Sequence, residues 1–205
     1  MWKIADIAYM RLALNLAKKG IGKTSPNPVV GAVIVKDGRI LGEGFHEFAG
    51  GNHAEINAIQ QAGTRANGST MYVTLEPCCH YGKTPPCTEA IKKAGIKEVI
   101  ISMKDPNPKV AGKGIKELKK AKIKVDIGIL ENEAKEINEV YVKYITTKIP
   151  FIMVKYAMTL DGKIASVCGD SKWISCDASR ELVQKLRSQV DAILVGVNTV
   201  IKDNP

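Results

Sequence analysis

The sequence predicts an α/β fold in which helices pack on both faces of a sheet. Short apolar segments rich in Val and Ile are typical of buried strands, and they alternate with segments whose apolar residues repeat at helical spacing. Pro150 interrupts this alternation and marks a boundary. We therefore expect one domain over residues 1–148 and an incomplete second domain over residues 149–205.

The chain begins with a predicted helix and a predicted β-hairpin. The expected apolar face of the helix and the glycines that end it are Ile4, Ile7, Ala8, Leu12, Gly20 and Gly22. An apolar run over residues 29–35 is followed by Asp37-Gly38 and then by residues 39–41. An Asp-Gly pair favours the tight turn that joins two antiparallel strands, so these segments form the hairpin.

The alternation then continues to the end of the first domain. We expect Asn52 to cap a helix from His53 to Gly63, and Pro86 to start a helix with Cys87 in its first turn. The other predicted strands cover residues 71–75, 99–102 and 124–129, and the other predicted helices cover residues 114–121 and 131–146. In the second domain we predict strands over residues 151–157 and 192–195 and a helix over residues 177–187.

Three short motifs carry the chemistry: His53-Ala54-Glu55, Glu76-Pro77-Cys78 and Pro85-Pro86-Cys87. One imidazole and two thiolates leave the fourth corner of a zinc tetrahedron open to water, which distinguishes catalytic from structural zinc sites. A His-x-Glu followed by Pro-Cys and a second Cys is typical of zinc-dependent base deaminases, in which the Glu moves protons and does not bind the metal. The motifs therefore predict His53, Cys78 and Cys87 as Zn²⁺ ligands, Glu55 as the catalytic residue, and hydrolytic deamination as the reaction.

Other histidines and cysteines are assigned different roles. We expect Cys79 to point away from the metal, because consecutive residues rarely direct both side chains at one ion, and His80 to face the substrate. His46 has no partner nearby in the sequence, and we expect it to have no part in the site. Cys168 and Cys176 are expected to be incidental thiols. The alternative left open is a structural zinc site without catalysis.

Composition limits the possible locations and partners. No apolar run approaches the roughly 20 residues of a membrane span, and the start of the chain lacks a secretory leader, so we expect a cytoplasmic protein. Five cysteines in such a chain indicate metal ligands rather than disulfides. The net charge of +9 favours anions in general and does not distinguish a phosphorylated small molecule from a nucleic acid.

The spacing of the two thiols narrows the substrate. Nucleic-acid deaminases usually carry Pro-Cys-x-x-Cys, whereas eight residues separate Cys78 from Cys87 here. The longer loop includes Lys83 and Thr84, which offer a cation and a hydroxyl beside the metal. This favours a small polar substrate, while a tRNA or nucleoside deaminase remains the alternative enzyme.

Residues 76–87 resemble the deaminase motif of the bifunctional riboflavin-biosynthesis deaminase-reductases. Residues 25–32, 105–110, 155–163 and 171–174 resemble further segments of that family, so the resemblance covers essentially the whole chain. It implies a three-layer cytidine-deaminase-like domain followed by the start of a dihydrofolate-reductase-like domain. It also implies deamination of 2,5-diamino-6-ribosylamino-4(3H)-pyrimidinone 5′-phosphate, followed by NADPH-dependent reduction of the ribosyl group.

The resemblance assigns residues as well as reactions. It places Asn27 and His80 against the pyrimidine, and Ser171 and Arg187 against the substrate of the reductase. It places Ala157, Trp173, Thr199 and Asp203 beside NADPH. The family's reductase domain continues beyond residue 205, so we expect deamination but no competent hydride transfer from this chain. We expect a homo-oligomer that acts on a small phosphorylated pyrimidine, with no nucleic acid or membrane partner.

Overall fold

The computed structural model describes residues 2–82 and 85–204, with the exception of the side chain of Asp203. The chain divides into two compact units, of which the first ends at Phe151 and the second begins at Ile152. Among the described residues, no helix is long and apolar enough to cross a membrane.

The first unit is built around a mixed five-stranded sheet with the strand order β2-β1-β3-β4-β5. Strand β1 is antiparallel to both β2 and β3, whereas β3, β4 and β5 are parallel. The strands are β1 (Gly31–Lys36), β2 (Arg39–Phe45), β3 (Thr70–Leu75), β4 (Glu98–Met103) and β5 (Lys124–Ile127). The predicted strands of this unit are therefore confirmed. Most of their ends shift by at most two residues, whereas β2, predicted over residues 39–41, continues to Phe45.

Helices cover both faces of the sheet because the side chains of each strand alternate between them. Met71 packs in a cluster with α2, α3 and α4, whereas its neighbour Tyr72 packs with α1 and α5 on the other face. The helices are α1 (Ile4–Lys18), α2 (Ala54–Ala62), α3 (Cys87–Lys93), α4 (Lys113–Lys120), α5 (Glu131–Ile137) and α6 (Glu139–Thr147). This confirms the predicted three-layer arrangement.

The hairpin between β1 and β2 turns at Asp37-Gly38, as predicted. Both residues have positive φ, 52° for Asp37 and 74° for Gly38. A two-residue turn with both φ values positive matches the right-handed twist of the strands that it joins.

The predicted apolar face of α1 is correct in part: Ile7 and Leu12 are half-buried and pack against the core, whereas the other two residues of that face do not. Ile4 is 88% exposed and Ala8 is also exposed. The buried face consists of Met10, Ala13, Leu14, Leu16 and Ala17. Helix α1 is apolar around much of its circumference, so the helical spacing alone does not define which residues face the sheet.

The single helix predicted over residues 131–146 is two helices that meet at Asn138. This side chain is 2% exposed; it accepts a hydrogen bond from the backbone N–H of Val29 (2.9 Å) and donates one to the carbonyl of Val29 (3.0 Å). Asn138 has a non-helical backbone, with φ −112° and ψ 17°. The pairing with a distant segment therefore outweighs the continuous helical pattern of the sequence.

The start of α2 also differs from the prediction. His53, rather than Asn52, is the N-cap residue, with an extended backbone at φ −71° and ψ 158°. The carbonyl of Asn52 instead lies 2.9 Å from Nδ1 of His46. Gly63 ends the helix with φ 57°, as predicted.

The second unit contains two helices in its described part, α7 (Asp177–Arg187) and α8 (Val197–Asp203). The predicted helix over residues 177–187 is confirmed. The predicted strands over residues 151–157 and 192–195 are wrong, because the described part of the unit has no strand. A strand needs a hydrogen-bonded neighbour, and the apolar side chains of these segments are exposed, Val154 at 77% and Leu194 at 99%.

Candidate zinc centre and cavity

Three metal-ligating side chains converge where α2, β3 and α3 meet. His53 is the N-cap of α2, Cys78 follows β3, and Cys87 is the first residue of α3. Nδ1 of His53 lies 3.2 Å from Sγ of Cys87 and 3.5 Å from Sγ of Cys78, and all three ligand atoms lie within 4.8 Å of one another. Zinc bonds of about 2.0 Å to nitrogen and 2.3 Å to sulfur separate such atoms by about 3.5 Å in a tetrahedron. The group therefore fits a zinc ion.

The two thiols have different electrostatic environments. The pKa of Cys78 falls to about 4, because its thiolate accepts a hydrogen bond from the Cys87 thiol and further ones from His53 and the backbone of Cys87. The backbone N–H of Cys87 lies 3.3 Å from Sγ of Cys78. The pKa of Cys87 is raised by its hydrogen bond to Cys78 and by burial. One thiolate is thus favoured by the protein itself, which suits a cationic ligand.

Glu55 lies in the first turn of α2 and is 3% exposed. Burial raises the pKa of its carboxyl to about 7, against the opposing effect of His53. A carboxyl group with a pKa near neutrality both accepts and releases protons under physiological conditions.

The metal-ligating group opens on a cavity of about 440 Å³. This volume falls within the range of cavities that hold small molecules. Two members of the group, His53 and Cys78, line this cavity together with Glu55. The other polar side chains of the lining are Asn27, His46, Glu76, His80, Asp105, Asn107 and Tyr141. The structure therefore brings both predicted pyrimidine contacts, Asn27 and His80, to the cavity that two of the predicted metal ligands line.

His46 lines the cavity, contrary to expectation. It is 3% exposed, and its Nδ1 lies 2.9 Å from the carbonyl of Asn52. Because a carbonyl only accepts, Nδ1 carries the proton and Nε2 accepts from Nδ2 of Asn27 at 3.1 Å. Burial lowers the pKa of His46, which favours this neutral form. The partners of His46 come together only in the fold, so the sequence offered no signal for it.

Asp105, Asn107 and Tyr141 form a second polar group on the cavity that the sequence did not identify. Oδ1 of Asp105 accepts hydrogen bonds from the Tyr141 hydroxyl at 2.9 Å and from the backbone N–H of Asn107 at 2.8 Å. Burial raises the pKa of Asp105. The resemblance of residues 105–110 to the family was the available signal, but it assigned no role to a residue there.

The loop between the two thiols is described in part. Nδ1 of His80 is buried and has no hydrogen-bond partner among the described residues. Cys79 is half-buried and lies outside the metal-ligating group. Lys83 and Thr84, which we expected beside the metal, lie outside the described residues.

The residues predicted for the reductase all lie in the second unit. Ser171, Arg187 and Thr199 are exposed, Ala157 is half-exposed, and the side chain of Asp203 is not described. Trp173 is 69% exposed and stacks on the guanidinium of Arg180, 4.2 Å from the ring centroid. Among the described side chains, no hydrogen bond or ion pair joins any two of these predicted residues. Their roles stay predictions.

Two family models match the chain. The cytidine and deoxycytidylate deaminase zinc-binding region matches residues 3–103, and the RibD C-terminal domain matches residues 150–205. The riboflavin biosynthesis protein RibD of Aquifex aeolicus (strain VF5) is 56% identical over 200 residues, which cover 98% of this chain and 56% of that protein. The chain thus spans little more than half the length of such relatives.

Solved structures show the same relationship. A diaminohydroxyphosphoribosylaminopyrimidine deaminase/5-amino-6-(5-phosphoribosylamino)uracil reductase from Thermotoga maritima is 51% identical with a TM-score of 0.93, over 98% of this chain and 58% of that one. A C-terminal deletion mutant of the Aspergillus oryzae Rib2 deaminase in complex with DARIPP is 26% identical with a TM-score of 0.55, over 71% of this chain and 100% of that one. The chain belongs to the RibD family of riboflavin-biosynthesis proteins, of which it spans the zinc-binding deaminase part and a portion of the C-terminal domain.

Proposed function

We propose that this chain catalyses the zinc-dependent hydrolytic deamination of 2,5-diamino-6-ribosylamino-4(3H)-pyrimidinone 5′-phosphate. The observation that carries the proposal is a group of three zinc-ligating side chains, two of which, His53 and Cys78, line one cavity together with the buried carboxyl of Glu55. The names of the relatives from Aquifex aeolicus and Thermotoga maritima support the pathway and the substrate class.

In this proposal His53, Cys78 and Cys87 would hold a zinc ion beside the cavity. Bound zinc supplies the Lewis acidity that makes water a nucleophile at neutral pH. The hydrogen bonds that favour the Cys78 thiolate prepare the site for the metal. The start of α3 adds the partial positive charge of a helix N-terminus at Cys87.

Glu55 transfers the protons of the reaction. The oxygen of water forms a bond to the ring carbon that carries the amine, and the bond between this carbon and the amine nitrogen breaks. Glu55 accepts a proton from the water and delivers protons to the ring nitrogen and the departing amine. Water and the amino-pyrimidine are thereby converted to the keto-pyrimidine and ammonia.

The polar wall of the cavity orients the pyrimidine. His46 fixes the amide of Asn27 with its nitrogen turned toward the imidazole, so the amide oxygen remains available as an acceptor. The buried Nδ1 of His80 is a second polar atom that a substrate can satisfy. We assign both residues to the recognition of the base.

Ammonia release from the diaminopyrimidine ribosyl phosphate tests the proposal directly. We expect release by the zinc-loaded protein, none after treatment with a chelator, and recovery after zinc is restored. A nucleoside and a tRNA substrate serve as comparisons, and faster release from either would favour the alternative deaminase. No release from any of them would contradict the proposal.

A Glu55→Gln variant separates an enzyme from a zinc-stabilised binding module. We expect it to retain one zinc ion per chain and to lose at least about a hundredfold in kcat, because it cannot transfer protons. Equal turnover by the variant and the parent would exclude Glu55 as the catalytic residue.

The remaining assignments concern the second unit, the assembly and the location. We propose that the second unit carries the reductase contacts of the family. The contacts to NADPH are Ala157, Trp173, Thr199 and Asp203, and the contacts to the reductase substrate are Ser171 and Arg187. Because the described part of the second unit lacks a sheet, we expect this chain not to oxidise NADPH with that substrate. We also propose a homo-oligomer, which sedimentation would test, and a cytoplasmic location, where free cysteines persist.

A further inference from the structure

Glu76 holds three backbone N–H groups that belong to another part of the chain. It follows β3, is 3% exposed, and lies two residues before Cys78. Its Oε2 accepts from the N–H of Gly112 at 2.9 Å and from that of Asp105 at 3.4 Å, and its Oε1 accepts from the N–H of Ile115 at 3.2 Å. All three donors lie in or beside the connection from β4 to α4.

The carboxylate of Glu76 joins segments that are separate in the sequence, and we call its three hydrogen bonds to Asp105, Gly112 and Ile115 the clamp. Asp105 and Gly112 are the two ends of a loop, which we call the 105–112 loop, and one oxygen of Glu76 binds both ends. Gly112 is the N-cap of α4 and has no side chain to cap the helix. Glu76 supplies the missing cap from outside by binding the N–H groups of Gly112 and Ile115, and its negative charge suits a helix N-terminus.

Close packing reinforces the clamp. A Cβ atom on Gly114 would lie 2.1 Å from the carbonyl oxygen of Pro77 and 3.3 Å from Oε1 of Glu76. The first turn of α4 therefore lies directly against the segment that carries Glu76 and Cys78. No residue larger than glycine fits there without a shift of the backbone.

The 105–112 loop forms part of the cavity wall through Asp105, Asn107 and Val110. The Glu76 side chain connects both ends of this loop to the segment that carries Cys78. Asp105 is further held by Tyr141, but Gly112 has no such second contact from a side chain in the described structure.

We propose that Glu76 is a positioning residue for the deamination: it holds the 105–112 loop at the distance from the metal ligands at which the loop's polar groups meet the substrate. The inference rests on the proposed function of the cavity. It assigns to Glu76 no contact with the reacting atoms and no proton transfer. Its effect passes through the loop and therefore falls on substrate binding.

A Glu76→Gln variant tests the inference. The amide nitrogen of Gln donates, so it cannot accept from the loop N–H groups that the replaced oxygen binds. We expect KM to rise about tenfold or more while kcat stays within about threefold of the parent, because a displaced wall weakens positioning and leaves the proton carrier intact. Zinc content should remain one ion per chain. Glu76→Asp, which is shorter by one methylene, should raise KM in the same direction and serves where the Gln variant does not fold.

Ser102→Ala is the matched control. Ser102 is fully buried in β4 and donates a 2.6 Å hydrogen bond to the carbonyl of Ile129, on the side of the sheet that holds α5. The substitution removes one buried hydrogen bond, and Ser102 is not among the described residues that line the cavity. We expect Ser102→Ala to lower the unfolding midpoint and to leave KM unchanged. If the role of Glu76 were purely structural, Glu76→Gln would give the same result.

Amide hydrogen exchange supplies a readout that does not depend on turnover. In the Glu76→Gln variant without substrate, the amides of Asp105, Gly112 and Ile115 should exchange about tenfold faster or more, while those of β1 and β3 keep their rates. Faster exchange with an inactive parent would mean that the proposed function is wrong and the clamp is real. If the parent is active and the Glu76→Gln variant keeps the KM and the amide exchange rates of the parent, the inference is overturned. It is also overturned if the variant loses zinc at an unchanged KM, or if neither Glu76→Gln nor Glu76→Asp folds.

Discussion

The two units of this chain differ in whether their apolar residues have a place to pack. In the first unit, strand residues such as Val33 and Ile101 are fully buried between the sheet and its helices. In the second unit, no described side chain is buried, and Leu160 and Leu194 are almost completely exposed. Both regions contain similar apolar patterns, so the difference shows that a pattern becomes a strand only where partner strands are present.

The same contrast extends to chemistry. The five cysteines are all free, and among the residues that the structure describes only Cys78 and Cys87 lie in a metal-ligating group with a histidine. Cys168 and Cys176 are exposed in the second unit, as expected of incidental thiols. The fold of the first unit converts distant sequence positions into a site, and the second unit provides no comparable convergence among its described residues.

Substitution of one cysteine in each unit should give the largest difference in zinc content and turnover between the two units. We expect Cys87→Ser to lose zinc and at least about a thousandfold in kcat/KM, because the serine hydroxyl is a poor ligand for zinc and one corner of the tetrahedron is lost. Cys176→Ser should retain both zinc and turnover. Metal analysis and ammonia release measure the pair. Equal losses in the two variants would contradict the assignment of the metal site to the first unit.

A pair of leucines compares the packing of the two units. Leu118 is fully buried in α4, whereas Leu194 is 99% exposed. We expect Leu118→Ala to lower the free energy of unfolding by about 2–5 kcal/mol, through the lost contacts and the cavity left behind. Leu194→Ala should change it by less than about 0.5 kcal/mol. Urea denaturation followed by circular dichroism would measure both values, and a comparable loss in the second variant would show that Leu194 packs in solution.

Asn138→Ala tests whether a buried polar contact contributes as much as the apolar core. The substitution leaves the N–H and the carbonyl of Val29 without their side-chain partner. We expect the free energy of unfolding to fall by about 1–3 kcal/mol, the cost of unsatisfied buried groups, which is less than for Leu118→Ala. Denaturation under the same conditions gives the comparison. No change would mean that water or a backbone shift replaces the contact.

The sequence was sufficient for features that depend on local patterns or on a motif. The five strands of the sheet, the turn at Asp37-Gly38 and the helix at 177–187 follow from apolar spacing and turn chemistry. The convergence of His53, Cys78 and Cys87 followed from the motif.

Features that depend on tertiary contacts could not be predicted from the sequence. Asn138 interrupts a continuous helical pattern because its side-chain amide forms hydrogen bonds with the backbone of Val29, more than a hundred residues away. His46 enters the cavity through bonds to Asn27 and Asn52, and neither bond has a sequence signal. Helix α1 is apolar around much of its circumference, and contact with the sheet determines which of its apolar residues are fully buried. In each case the contact with a distant segment decided between local alternatives.

Removal of the second unit should have the smallest effect of these changes. Among the described residues, those that line the cavity lie between Pro26 and Ile145, in the first unit. A solved relative, the Aspergillus oryzae Rib2 deletion mutant, is matched along its whole length by 71% of this chain. We therefore expect a chain that ends at Phe151 to release ammonia with a kcat/KM within about twofold of the 205-residue chain, since it keeps every group that acts on the transition state. A loss of tenfold or more in folded, zinc-loaded protein would mean that the second unit supports the site, and that its exposed apolar residues have a functional role in the deamination.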